Sequence, residues 1–149
     1  MDHIAIMKKE WGLTEKILDG RKKIESRWLS KRTVPWQKVS KNDIVYFKNS
    51  GEPVKIRTRV DRVVNIENLS RSKVAKILAK YGKDGGIEKC DIPKFRSMFK
   101  NKKYCVLVFL KNARHIKPFG IDKAGFGAMA AWICTENIGN VRKRLAHSG

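Results

Sequence analysis

The chain has 149 residues, 34 of them Lys or Arg against 14 Asp or Glu, for a formal net charge of +20. That length holds one well-buried core and excludes two comfortable ones, and an apolar content of 42% is ordinary for a globular domain, so disorder is not the default. The excess charge is +6, +7 and +7 over residues 1–50, 51–100 and 101–149, which excludes a detachable basic tail.

A folded body this basic repels itself unless polyanions are near, and nucleic acid is the commonest such partner. An anionic membrane surface and a plain bias of surface composition are the alternatives.

Residues 3–7 alternate weakly and predict a first strand. Trp11, Leu13, Ile17 and Leu18 predict a short helix that Gly20 stops in a left-handed conformation. Residues 23–28 predict a strand, and residues 29–42 a basic loop carrying Pro35 and Trp36. Residues 43–48 predict a strong strand, 49–53 its turn, and 54–64 the returning strand of a hairpin. The clearest helix is predicted over 71–81, with Ser70 as N-cap, a Leu69–Val74 staple and Gly82 at its end. A weaker helix is expected over 92–99. The apolar run 104–110 predicts a central strand buried on both faces, extended or paired by 113–119. Residues 128–134 are apolar, and 141–146 predict a basic closing helix. These elements predict one domain over residues 1–149, of the α+β class, on a mixed or antiparallel sheet.

Three patterns carry candidate chemistry. In the segment 20–28, regular alternation sets Lys23, Glu25 and Arg27 on one face and Lys22, Ile24, Ser26 and Trp28 on the other. Cations two residues away on either side favour an ionised Glu25. Lys22 joins Glu25 and Arg27 in a charged pocket only if it sits in the turn before the strand or at a bulge. Otherwise the segment is a surface ladder of weak ion pairs. The second pattern is the stripe Lys55, Arg57 and Arg59, at a pitch of roughly 6.8 Å, which suits an extended phosphate backbone. The third is aromatic: Trp28, Trp36, Tyr46 and Phe47 lie among Lys31, Arg32, Lys38, Lys41 and Lys48. Exposed aromatics among cations stack on unpaired bases, and Trp36, following Pro35 in a polar loop, is the one expected to be exposed.

Other patterns point away from chemistry. Residues 125–130 match a degenerate dinucleotide motif, but no strand directly precedes it and no ribose-binding acid follows, so a glycine turn is expected and no cofactor. His3, His115 and His147 have no ligand spacing with one another or with the cysteines, so no metal is expected. Cys90, Cys105 and Cys134 form an odd set without a CxxC pair, as in a reducing cytosol. No signal peptide is evident, and the apolar stretch 124–134 is too short to span a bilayer. A soluble, cytoplasmic, monomeric protein without a membrane partner is expected.

The segment Gly20-x-Lys22-x-x-Glu25-x-Arg27, followed by Asn42-Asp43-Ile44-Val45-Tyr46-Phe47, resembles the ASCH domain of the PUA-like superfamily. Trp28, Pro118-Phe119 and the stretch from Lys123-x-Gly125-x-Gly127 to Trp132 extend the resemblance over roughly residues 3–135. It implies a PUA-like mixed β-barrel of five or six strands with surrounding helices, and a cleft that binds RNA or a nucleotide-like small ligand. Some small members hydrolyse acetylcytidine with a lysine, a threonine and a later glutamate. Lys22 matches that lysine, whereas Glu25 stands in place of the threonine. Asn42 replaces the usual glycine of a left-handed turn.

The expected function is an RNA-binding module bound through Lys22, Lys23, Glu25, Arg27, Trp28, Lys31, Arg32, Trp36, Lys48, Lys55, Arg57 and Arg59. The alternative is a hydrolase on RNA or a modified nucleoside, a ribonuclease or acetylcytidine amidohydrolase, with Lys22 and Glu25 as acid/base groups.

Overall fold

The structure is a computed structural model that describes residues 1–143. Six strands, β1 (Asp2–Met7), β2 (Ile24–Leu29), β3 (Ile44–Asn49), β4 (Val54–Ile66), β5 (Tyr104–Phe119) and β6 (Trp132–Thr135), form one mixed sheet in the order β2-β5-β4-β3-β1-β6. Only β1 and β3 run parallel; the other neighbours are antiparallel. Helices α1 (Leu13–Leu18), α2 (Arg71–Tyr81) and α3 (Ile92–Phe99) complete the α+β architecture.

The sheet curls into a half-barrel. Alternation sends Ala5, Met7, Val45, Phe47, Ile56, Val60, Val106 and Val108 into its interior, which Trp36, Trp132 and α1 close. Outside β2 and β5, α2 and α3 bury a second core around Ile24, Trp28, Val74, Leu78 and Leu107. Outside β1 and β6, Ile4, Ile133, Phe119 and Val141 form a third. With helices on one side and the interior on the other, β5 has Cys105, Val106, Leu107 and Val108 all buried, as its unbroken apolar run predicts.

The predicted elements stand with small shifts. Helix α2 spans the predicted residues, and the Ser70 hydroxyl accepts from Lys73 N–H. Residues 113–119 extend β5, and the predicted first helix is a 3-10 turn, Lys9–Trp11, followed by α1. Of the apolar residues 128–134 only the last three join a strand; residues 124–131 form an exposed loop. Half of the closing helix expected over 141–146 lies outside the described residues; residues 141–143 are not helical, and Arg142 makes an isolated bridge to Ile121. Trp36 corrects the expectation of exposure: it is 7% exposed and packs in the barrel interior against Tyr104. Apolar area outweighs its polar loop neighbours. No helix among the described residues is long and apolar enough to cross a membrane.

Candidate functional site

The two ends of the curled sheet meet without a strand ladder, and Arg27 spans the seam. Because Arg27 pairs in register with Val106 of β5, its side chain turns into the barrel, as does that of Glu25 opposite Val108. From there Arg27 Nη1 donates to Ala131 O at 3.1 Å, and Nη2 to Ile6 O at 3.3 Å and Glu25 Oε2 at 3.0 Å.

Lys22 precedes β2 and is free of its alternation. Its buried Nζ donates to Ile24 O at 2.7 Å and Gly85 O at 2.6 Å and lies 3.3 Å from Glu25 Oε1. The condition set by the sequence is therefore met: Lys22, Glu25 and Arg27 converge. Lys23 takes the opposite course from its expected place beside Glu25. It lies ahead of β2 and is exposed, where Lys23 N–H and Ile24 N–H both donate to Asp84 O and regular strand alternation has not begun.

Burial draws the Lys22 amine below the ordinary lysine value, against the pull of Glu25. Burial also opposes ionisation of Glu25, but Lys22 and Arg27 together hold its carboxyl below the usual carboxylate range. Geometry favours the charged pair. A neutral amine donating to both carbonyls would turn its lone pair on the carboxylate, whereas an ammonium offers a third N–H.

These groups line a cavity of about 250 Å³ together with Trp11, Trp28, Phe95 and Phe99. Trp28 stacks on Phe99 at 4.5 Å, and Trp11 meets Phe95 edge to face at 5.5 Å. Trp28 is thus neither a free platform nor plain core: its Nε1 donates to Ser26 Oγ, and its ring lines the cavity while packing on α3. Trp11, Gly85, Phe95 and Phe99 escape sequence reading. The i, i+3, i+7 spacing of Ile92, Phe95 and Phe99 was the available signal, since it sets both rings on one face of α3. Gly86 carries another: at φ +81 it lies so close that an added Cβ would meet Lys22 and Leu13 at 3.3 Å.

The remaining candidates lie elsewhere. Lys31 and Arg32 are exposed in the loop after β2, where Arg32 pairs with Glu67. Lys55, Arg57 and Arg59 alternate on the outer face of β4 against buried Val54, Ile56, Thr58 and Val60. None of the three lines the cavity. Lys48 is half-buried, and burial together with Lys123 and Lys143 lowers its pKa. Among the described residues no group of His, Cys, Asp and Glu could hold a metal ion. Cys105 is an inert core thiol, pushed up to about 12 by burial.

No family model and no curated protein matches the chain. Among solved structures it is similar to ASCH from Zymomonas mobilis, with a TM-score of 0.67 and 14% identity over 93% of this chain and 90% of that one. A mutant form of the same Zymomonas mobilis protein matches at 0.64 with 13% identity, over 94% and 96% of the two chains. Hypothetical protein PH0355 matches at 0.51 with 18% identity, over 78% of this chain and all of that one. The likeness shows the fold: a mixed curled sheet with helices, arranged as in the ASCH structure, in keeping with the expectation that the resemblance of the sequence carries.

Proposed function

We propose that this protein is an RNA-binding module whose cavity holds one unpaired base while its basic surface engages the phosphates. The observation that carries the reading is the Glu25 carboxylate, fixed between Lys22 and Arg27 in a cavity walled by aromatic rings. A carboxylate has about four acceptor positions. The two cations take one on each oxygen, and those left suit the amino or imino N–H of a base edge. At about 250 Å³ the cavity is smaller than the roughly 300–1,000 Å³ of drug-sized ligand sites, which fits a base or nucleoside and excludes a duplex. The net charge of +20 supplies attraction without sequence preference.

The hydrolase alternative has less support. Lys22 is tied to two carbonyls and Glu25 to two cations, so neither is poised to exchange a proton.

The test is titration of wild type, Glu25→Gln and Phe95→Ala with the four ribonucleoside 5′-monophosphates, alongside incubation with N4-acetylcytidine and single-stranded RNA. Binding of at least one monophosphate, weakened in both variants without turnover, is expected. Phe95→Ala alters only a partly exposed wall and keeps the test decisive if Glu25→Gln does not fold. Deacetylation or cleavage abolished by Glu25→Gln overturns the reading in favour of an enzyme.

A further inference from the structure

Beside the cavity, across the ridge formed by Arg27, Trp28 and Ala131, lies an open groove of about 610 Å³. Its far walls come from the loop after β2, through Val34 and Pro35, and from the loop before β6, through Phe126 and Ala130. No Asp or Glu lines it. Val34 is 41% exposed and Phe126 40%, and Met129, on the same loop as Phe126, is 94% exposed. Large apolar side chains are rarely grouped in the open on a soluble protein unless something rests on them.

The loop that carries Phe126 is built to hold it out. Gly125 and Gly127 flank it at φ +87 and +90, and an added Cβ at either would meet nothing within 4 Å. The glycines therefore serve the left-handed backbone and not close packing. Phe126 N–H donates to Lys123 O at 2.9 Å, and Lys123 Nζ donates to Ala128 O at 2.6 Å, closing the loop on itself. The loop thus presents an aromatic ring to a groove that Arg27 also lines. The Arg27 side chain is 16% exposed and lines both cavity and groove, and its Nε–H and one Nη1–H have no hydrogen-bond partner among the described residues.

We infer that this groove is a second base subsite: the unpaired base next to the one in the cavity stacks on Phe126, with Arg27 on the linking phosphate. The inference rests on the base-binding reading of the cavity. Continuity with the cavity across one shared ridge, and a guanidinium on that ridge with no acid in the lining to repel a phosphate, select a neighbouring nucleotide over an apolar peptide, which has no use for the cation.

The experiment compares the four ribonucleoside 5′-monophosphates with the four matching homodinucleotides, on wild type, Phe126→Ala and Phe126→Trp. The best dinucleotide binds about tenfold tighter than its monophosphate, in line with one base–aromatic stack. Phe126→Ala removes that gain and leaves the monophosphate affinity unchanged, and Phe126→Trp keeps it. A monophosphate that binds, with no dinucleotide gain or with a gain that survives Phe126→Ala, overturns the subsite alone and leaves the patch to a protein partner. If neither probe binds, the cavity reading falls and takes the subsite with it.

Discussion

Glu25 is the residue on which the site depends, and its energetics are those of a buried carboxylate that two cations neutralise. Removing one partner of such a pair leaves a desolvated charge, which costs about 3–5 kcal/mol, whereas replacing both sides by apolar groups is often neutral. Glu25→Ala is therefore expected to lower unfolding free energy by about 3–5 kcal/mol. Adding Lys22→Met should recover a large part of it, because Ile24 O and Gly85 O then lose a donor but no charge remains stranded beside them. Urea unfolding of the two single variants and the double variant measures the coupling. Additive losses would mean that Lys22 and Glu25 do not share one ion pair. At this scale the sequence was informative up to a point. Spacing put Glu25 and Arg27 on one face and named the turn as the condition for Lys22. It gave no hint that the carbonyl of Gly85, 63 residues away, completes the seat of the ammonium.

Among the elements, the seam joining β1, β6 and the start of β3 carries a second buried network. Trp132 Nε1–H donates to His3 Nδ1 at 3.1 Å, so the proton of a neutral His3 lies on Nε2, which faces Asp43 Oδ2 at 2.8 Å. A second proton would set an N–H against the indole N–H. Burial holds His3 below the ordinary histidine value despite Asp43 and Asp2, with the N-terminal ammonium adding to the downward push. The unfolded chain thus takes up a proton near pH 6.5 while the folded chain does not. The contribution to stability is present above about pH 6.5 and is lost as pH falls through that value toward the folded pKa. Urea midpoints at about pH 7.5 and 5.5 should show a loss on acidification that His3→Gln flattens; equal pH dependence of the two proteins would remove His3 as the cause. This network was invisible in the sequence, where His3 is one residue of a weak strand pattern. Elements with local punctuation were legible: α2 has its cap and staple in consecutive residues. The continuation of β5 past residue 110 was legible only as one of two alternatives, extension or pairing by 113–119, because Lys111–Lys117 lacks apolar alternation and pairs with β4 through bulges.

At the scale of the molecule, the sheet has an apolar interior, two covered outer faces, and a basic stretch of β4 and β5 between them. There Arg57 stands opposite Arg114, and Arg59 opposite Lys111, pairings of like charge that destabilise a sheet. Lys111 is relieved by Asp61, Lys55 by Glu52, and Arg59 donates to Asn42 O. Arg57 and Arg114 have no such ion pair among the described residues. The charge stripe was legible because strand alternation is local, while the opposing cations of β5 needed the pairing register. If the stripe follows a phosphate backbone, its role is separable from that of the cavity. Replacing Lys55, Arg57 and Arg59 together by Ser removes about three phosphate contacts, each worth about 0.7 in the slope of log K against log salt for a single strand. The slope for a short single-stranded RNA should flatten by about 2. Monophosphate binding in the cavity should stay unchanged, and stability should hold or rise as like charges part. Phe95→Ala should do the reverse, lowering affinity for RNA and monophosphate while keeping the slope. Fluorescence anisotropy from about 50 to 300 mM salt separates the two, since counterion release governs that slope. An unchanged slope in the triple variant would move the phosphate track off β4, and a flattened slope in Phe95→Ala would mean that cavity and surface do not act as separate parts.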